Sequence, residues 1–557
     1  MFKKFLIFSV FLIFMLCGSV VSASEIVPLK YAGFSDNYYA SMSYAIETSD
    51  GGMVGIAKVG GTEFGLNHNG YSYVDALVKL DSNLEVEWVY SLKSSAYSFE
   101  DIIEDENKNY ILVGSDIIWG TYYTYYKSAF LFINSNGEKV KEVELKSTIP
   151  SLELDSLIYD GEYYYSVGTQ MNTTLLSEDS NYYYTKTDVE YGLYKIDSDF
   201  NVVWFRKIDD YNYERTYNKG SSAGASTSSR ESFIDFTPDG NIVFSYNYKN
   251  NISVKIYKYD KNGNQIFKKD LGGKVFDSTF DSDTVTSLVA TKDNGVVVVG
   301  SIESMNTIER LGSSDAFYLK LDKEGNIVWL KYLIGSGSDS MLGVSRYNDD
   351  FVMIGRTSTT LENSDLTGSF MMIINDSGEM LMSRSIDDDL TGFYYSEPLF
   401  VSDSKIYLTG YADSDYSHYS NVTKRTNAIV RYSVKYDINV KDETGKISLS
   451  VPENAYAGDV VNIIVDIEDG YVFKGIENIE LVAIDGTTYS FIMPSADIEL
   501  LPIIEEKVED VIDNTSVEKE EIKNPNTSDL GMAALVFISV LVVVITYINY
   551  IKLKQLS

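Results

Sequence analysis

Apolar and polar positions alternate along this chain in one short phrase that ends in Asp or Asn. It appears as Asp75–Asp81 (DALVKLD), Ser128–Asn134 (SAFLFIN), Tyr191–Asp197 (YGLYKID) and Val254–Asp260 (VKIYKYD). It returns as Ala316–Asp322 (AFYLKLD), Ser369–Asn375 (SFMMIIN) and, without the final acid, Asn427–Ser433 (NAIVRYS). Alternation over six or seven residues predicts a strand with one buried face. A turn rich in Asp, Asn and Gly follows each of the first six, the signal of a tight hairpin. Seven residues after the Asp or Asn stand Trp88, Lys141, Trp204, Phe267, Trp329 and Met382, so three of the 4 tryptophans share one register.

A second strand precedes each phrase and ends at Ala57, Gly114, Gly168, Ser245, Gly300, Gly355 and Gly410, at intervals of 57, 54, 77, 55, 55 and 55 residues. With a strand and turn before it, each unit predicts four strands. Four-stranded units in series predict an all-β chain, a seven-bladed β-propeller over residues 24–434. The seventh unit lacks its own fourth strand. Ile26–Ala32 (IVPLKYA) matches the fourth strand of the fifth unit, Ile327–Leu333 (IVWLKYL), so the N-terminal strand is expected to close the ring. Pro28 suits a blade's outermost strand, which has one unpaired side.

Units such as TKDNGVVVVGS followed by DAFYLKLDKEGNIVWLKYLIGSGSD resemble the propeller repeats of bacterial secreted surface proteins and lipoproteins, most sharply over 283–340. That resemblance implies a fold and an outside location, and no reaction. From Tyr436 the pattern changes. Ala457-Gly458-Asp459, Gly470-Tyr471 and Phe491-Ile492-Met493-Pro494 resemble the divergent internalin-type B repeat of Gram-positive surface proteins, a small β-rich module expected over 435–505. Residues 506–523 are acidic and read as an extended, solvated linker.

The two ends carry addresses. Lys3-Lys4, an apolar run from Phe5 to Cys17 and Val21-Ser22-Ala23 form a signal peptide over 1–23. Cleavage near Ala23 removes the only cysteine, which excludes disulfides and cysteine metal sites from the mature chain. Leu530–Ile551 has no charged residue and is followed by Lys552 and Lys554, as in a membrane span with a basic tail inside. Before it stand Asn524, Pro525, Asn526, Thr527 and Ser528, then Asp529. With the span and the tail, over 524–557, they resemble the sorting signals that sortases of Gram-positive bacteria read. The resemblance implies sortase and cell-wall peptidoglycan as partners, with cleavage after Thr527; a plain membrane anchor is the alternative. Either way the rest of the chain is expected outside the cell.

The net charge is −35, with 81 acidic against 46 basic residues, which argues against nucleic acid. Only two histidines occur, His68 and His418, too few for a three-histidine metal centre. No nucleophile elbow, phosphate loop or calcium loop appears, so neither metal nor cofactor nor catalytic residue is expected. Function is then expected on long loops gathered at one end of the blades: 58–74, 116–127, 170–190, 209–230, 301–314 and 411–426. Their aromatic residues Trp119, Tyr122, Tyr123, Tyr125, Tyr126, Tyr182, Tyr183, Tyr211, Tyr213 and Tyr416 are candidate contacts for a glycan or protein ligand. Mutual packing of these rings is the alternative. The expectation is a non-catalytic, adhesin-like display protein. The alternatives are an extracellular polysaccharide-active enzyme using acidic residues of the propeller face, and a spacer without ligand.

Overall fold

The computed structural model describes residues 25–33, 42–59, 74–92, 98–121, 123–219, 232–247, 255–271, 283–302, 314–361, 365–386, 399–402, 405–412 and 426–507. The expected signal peptide over 1–23, His68, Tyr122, Tyr416, His418, the expected sorting signal and Leu530–Ile551 lie outside them. Among the described residues no helix is long and apolar enough to cross a membrane.

The architecture is all-β and propeller-like. Antiparallel sheets of four strands succeed one another over 42–91, 98–144, 151–218, 232–270, 284–333 and 339–385, each a simple meander. The third has an extra short strand, Ile158–Tyr159, beside Tyr164–Glu178. In the last sheet of this series Leu399–Ser402, Lys405–Ala412 and Thr426–Val440 are joined by the N-terminal strand Glu25–Gly33. That strand runs antiparallel to Thr426–Val440 from Glu25 opposite Lys435 to Gly33 opposite Ala428, with a register shift between Pro28 and Lys30. The first strand of the first sheet, Met42–Glu47, packs against both Ser98–Glu104 and Leu399–Ser402.

The third strands differ from the simple expectation of one buried face. Asp315–Leu321 and Ser369–Ile374 are buried at every position, because another sheet stacks on either side. The lysines that created the apparent alternation are inside as well. Lys79, Lys258 and Lys320 are 0%, 1% and 2% exposed. Each reaches an aspartate in the first turn of its own sheet: Lys79 to Asp50 at 3.0 Å, Lys258 to Asp239 at 3.3 Å and Lys320 to Asp293 at 2.9 Å. A threonine two residues before each aspartate, Thr48, Thr237 or Thr291, donates its hydroxyl to that carboxylate. A buried ammonium is tolerated only when paired in this way.

The Asp or Asn that ends each phrase caps its turn. Asp322 Oδ1 accepts the backbone N–H of Glu324 at 3.0 Å and of Asn326 at 2.8 Å, and Asp81, Asn134, Asp197, Asp260 and Asn375 repeat the pattern. The fourth turn residue has φ between 62° and 84° in all six, and glycine holds four of them. Glycine there also admits the neighbouring sheet. A Cβ on Gly137 would lie 2.7 Å from the Trp88 ring, and one on Gly378 would lie 2.9 Å from Trp329. The two indoles donate to Ser135 O at 2.9 Å and Asp376 O at 3.0 Å. The shared tryptophan register is thus one half of a latch between successive sheets.

Three expected loops are instead strand. Tyr110–Trp119 and Thr124–Ile133 pair through Trp119 and Thr124, so residues 116–127 are mostly hairpin. Tyr164–Glu178, Tyr182–Ile196 and Val202–Asn218 extend the third sheet into a long three-stranded ribbon across most of 170–190 and the first part of 209–230. These stretches are rich in Thr and Tyr, which favour strands without needing an apolar face.

Thr426–Val440 continues past the last sheet and pairs with Asn454–Tyr456 and, in parallel, with Ile498–Leu500. Around it Ile447–Ser450, Val460–Ile467, Thr488–Ile492 and Val482–Ala483 form a further sheet. One core runs through both regions, from Ile406, Val430 and Tyr432 to Tyr436, Ile463 and Phe491. Tyr436 donates its hydroxyl to that of Tyr347 at 3.3 Å. A second compact unit comprises, among the described residues, Gly470–Val472 and 505–507, where Lys507 N donates to Gly470 O at 2.7 Å.

Candidate functional site

The expected aromatic contacts separate into distinct groups. Trp119 ends its strand, and Gly120 N donates to Tyr123 O at 2.8 Å to close the turn. The rings of Tyr123 and Tyr125 are 5.6 Å apart, and Tyr126 N donates to Ser151 Oγ at 3.0 Å. On the ribbon, Val189 stands opposite Tyr211, Thr187 opposite Tyr213 and Tyr183 opposite Tyr217, so these side chains share a face. That face is a packed ladder. Tyr246 meets Tyr191 at 4.4 Å, Tyr191 meets Tyr211 at 5.8 Å, and Tyr211 meets Tyr213 at 6.0 Å. Arg215 then lies between the rings of Tyr213 and Tyr217, 5.9 Å and 5.8 Å from them. Tyr182 and Tyr184 point to the opposite face and are 39% and 36% exposed.

One cluster of ionisable groups lies at the other end of the sheets. In an antiparallel meander the first-to-second and third-to-fourth turns share one end. There, the turns of the fifth and sixth sheets enclose a pocket of about 210 Å³. Lys292 and Asp293 come from one turn, and Arg346, Asn348, Asp349 and Asp350 from the next; Phe351 and Asp376 complete the wall. Asn348 has φ 56°, which lets Tyr347 and Asp350 pair across a two-residue turn.

Lys292, Asp293, Arg346, Asp349 and Asp376 are each held by a partner. Buried Lys320 holds Asp376 at 2.6 Å and Asp293 at 2.9 Å. Lys292 pairs with Asp349. Arg346 donates through Nε to Ala290 O at 2.5 Å and lies 3.4 Å from Asp235 Oδ2, which also accepts the N–H of Ala290 at 2.9 Å. This ties the first strands of the fourth, fifth and sixth sheets together beneath the pocket.

The carboxyl groups are driven apart in acidity. Burial pushes Asp350 above the usual carboxylate range, and repulsion from Asp349 and Asp376 adds to it, with Lys292 opposing. Asp293 is held below that range: burial works against ionisation, but bonds from Thr291 and Lys320 and the Lys320 charge outweigh it. Burial also raises Asp235, opposed by the N–H of Ala290 and the charge of Arg346. Two carboxyls of one pocket whose acidities are pushed in opposite directions are a pairing that supports acid–base chemistry.

Sequence reading did not find this pocket. Its residues lie in short turns, which look like capping turns everywhere in the chain. The adjoining acids Asp349-Asp350 are only one of many acidic pairs, and Asp376 is far away in sequence.

No protein family matches the sequence, and no curated relative does. Among solved structures the chain is similar to the polysaccharide lyase Uly1, at 10% identity and TM-score 0.40, over 73% of this chain and 92% of that one. It is similar to an α-L-arabinofuranosidase from Fusarium graminearum, at 12% identity and TM-score 0.32, over 62% and 98%. A luciferin-regenerating enzyme matches at 8% identity and TM-score 0.32, over 74% and 95%. These neighbours are enzymes by name, which runs against the expectation of a non-catalytic, adhesin-like protein, and that expectation is withdrawn. Likeness at this level assigns no reaction and places no residue, so a catalytic reading has to rest on the chain's own groups.

Proposed function

We propose that the chain is an exported, envelope-held β-propeller that hydrolyses a polysaccharide at the pocket between its fifth and sixth sheets. The observation that carries the reading is the pairing of Asp350, raised by burial and by neighbouring carboxylates, with Asp293, kept ionised, in one pocket. In glycoside hydrolysis one carboxylic acid protonates the departing oxygen while a carboxylate stabilises the cationic sugar or activates water. Asp350 is the acid. Asp293 supplies the negative charge, and Asp376 is the second carboxylate on the wall. Water adds across the cleaved C–O bond, and its proton restores Asp350. Arg346 and Lys292 are donors for sugar hydroxyl oxygens.

Seven blades, with the ring closed by residues 25–33, are part of the proposal. Its support is the pairing of that strand with Thr426–Val440 and the packing of Met42–Glu47 against both neighbours. Export by residues 1–23, holding at a Gram-positive envelope through 524–557 and a spacer role for 435–505 remain proposals that rest on the sequence patterns.

The test is reducing-end release from a panel of bacterial and plant polysaccharides. The expected result is turnover that declines as pH rises through the Asp350 pKa, because the acid form is then lost. Asp350→Asn should lower kcat by about 10²-fold or more. Full activity in that variant, or no turnover of any glycan in the panel, overturns the assignment.

A further inference from the structure

A lysine recurs at one register of the strand phrases, and its partners differ from sheet to sheet. Lys79, Lys195, Lys258 and Lys320 each stand two residues before the closing Asp of their phrase. Lys195 lies over the Tyr163 ring and reaches Lys261 O at 3.4 Å. Lys79 pairs with Asp50 and Glu87, both of its own sheet. Lys258 pairs with Asp239 of its own sheet and donates to Asn294 O of the next at 2.9 Å. Among these four, Lys320 is the one that joins carboxylates of two sheets, Asp293 of the fifth and Asp376 of the sixth. Both of those aspartates line the pocket.

Resting on the reading of that pocket as a glycan-cleaving site, we propose that Lys320 is its positioning residue, clamping the Asp293 and Asp376 carboxylates onto one wall from behind. The lysine is 2% exposed in a strand buried at every position, so it acts through the two carboxylates and not on a substrate. Its cross-strand partners, Val297 and Trp329, carry no charge. The other cations of the wall are engaged elsewhere: Lys292 pairs with Asp349, and Arg346 with Asp235.

Two carboxylates bonded to one ammonium stay ionised side by side. Without it they repel each other, and one of them takes up a proton. The ammonium in turn is tolerated inside the fold because it is paired. Asp350, the acid of the proposed reaction, feels Asp349, Asp376 and Lys292 rather than Lys320. Lys320 therefore keeps Asp293 charged without discharging the acid beside it.

Lys320→Met is the test, with Lys79→Met as the structural control. Both remove a buried lysine, and both should lower the melting temperature. In Lys320→Met the low-pH limb of glycan cleavage should move up by about one pH unit, which is about a tenfold loss of kcat below that limb, with KM little changed. In Lys79→Met the limb should stay in place. The Asp293 carboxyl is followed independently of activity, by NMR of the chain carrying isotope-labelled aspartate, with its signal assigned from Asp293→Asn. It should titrate at higher pH in Lys320→Met than in wild type. If Lys320→Met does not fold, Lys320→Met/Asp376→Asn, which removes the like-charge repulsion, is compared with Asp376→Asn, and Asp293 should again titrate higher without the lysine. An Asp293 signal that titrates as in wild type, or a low-pH limb that is unmoved in an active Lys320 variant or moves equally in Lys79→Met, overturns the inference. A signal that moves in a chain that cleaves no glycan of the panel supports the clamp and overturns the glycan reading instead.

Discussion

At the residue scale, the buried lysines show how charge is used inside this fold. Lys79 meets Asp50 at 3.0 Å and Glu87 at 2.9 Å, and also donates to Leu80 O at 3.0 Å. For Asp50, burial raises the pKa, but bonds from Thr48, Lys79 and Gly52 N–H outweigh it and bring the pKa down to about 2. The sign follows directly. A carboxyl lowered in the folded state favours folding above its unfolded pKa of about 3.9, and the benefit disappears as pH falls toward about 2. Asp50 is 47% exposed, so solvent screening reduces the effect to about 1 kcal/mol. Urea denaturation of wild type and Asp50→Asn should show that difference at pH 7. It should vanish near pH 2. A difference that stays constant across this range would disprove the linkage.

At the element scale, the turn between third and fourth strands does two tasks with one residue. Gly378 has φ 75° and touches the Trp329 ring of the preceding sheet. Gly445, at φ 66°, has open space around its Cα. Ala at Gly445 should cost about 1 kcal/mol, the price of the left-handed backbone alone. Ala at Gly378 should cost about 2–4 kcal/mol, since it also drives a methyl into the indole. Equal losses for the two in chemical denaturation would remove the latch from the account.

This scale also shows how much of the fold was legible. Strand phrases, turn residues and the Trp register were readable, because turn chemistry and strand alternation are local. The fate of 170–190 and 209–218 was not. Without an apolar face those stretches resemble loops, and only pairing of Thr187 with Tyr213 and Val189 with Tyr211 makes them strand. The pocket was likewise hidden, because Asp293, Asp350 and Asp376 look like any other turn acids until Lys320 gathers two of them.

At the scale of the whole molecule, the N-terminal strand supplies the outer edge of the last sheet. Arg384 also donates to Ile26 O at 3.3 Å, tying that strand to the preceding sheet. Deleting residues 24–33 should lower the melting temperature by about 10 °C or more, because an edge and its packing are lost together. It should also raise hydrogen exchange in Thr426–Val440 while the second sheet stays protected. An unchanged melting temperature would mean that the strand is dispensable.

The sequence by itself determined the repeat, the strand phrases, the capped turns and the return of the N-terminus to the end of the series. Each is written in local residue chemistry or in similarity between segments. Only the tertiary structure decided that the lysines of the third strands lie inside, that the tyrosines near 211 form a packed ladder, and that the acids of two short turns share a pocket. Burial and the distance between charges depend on which sheets stand side by side, and no local pattern encodes that.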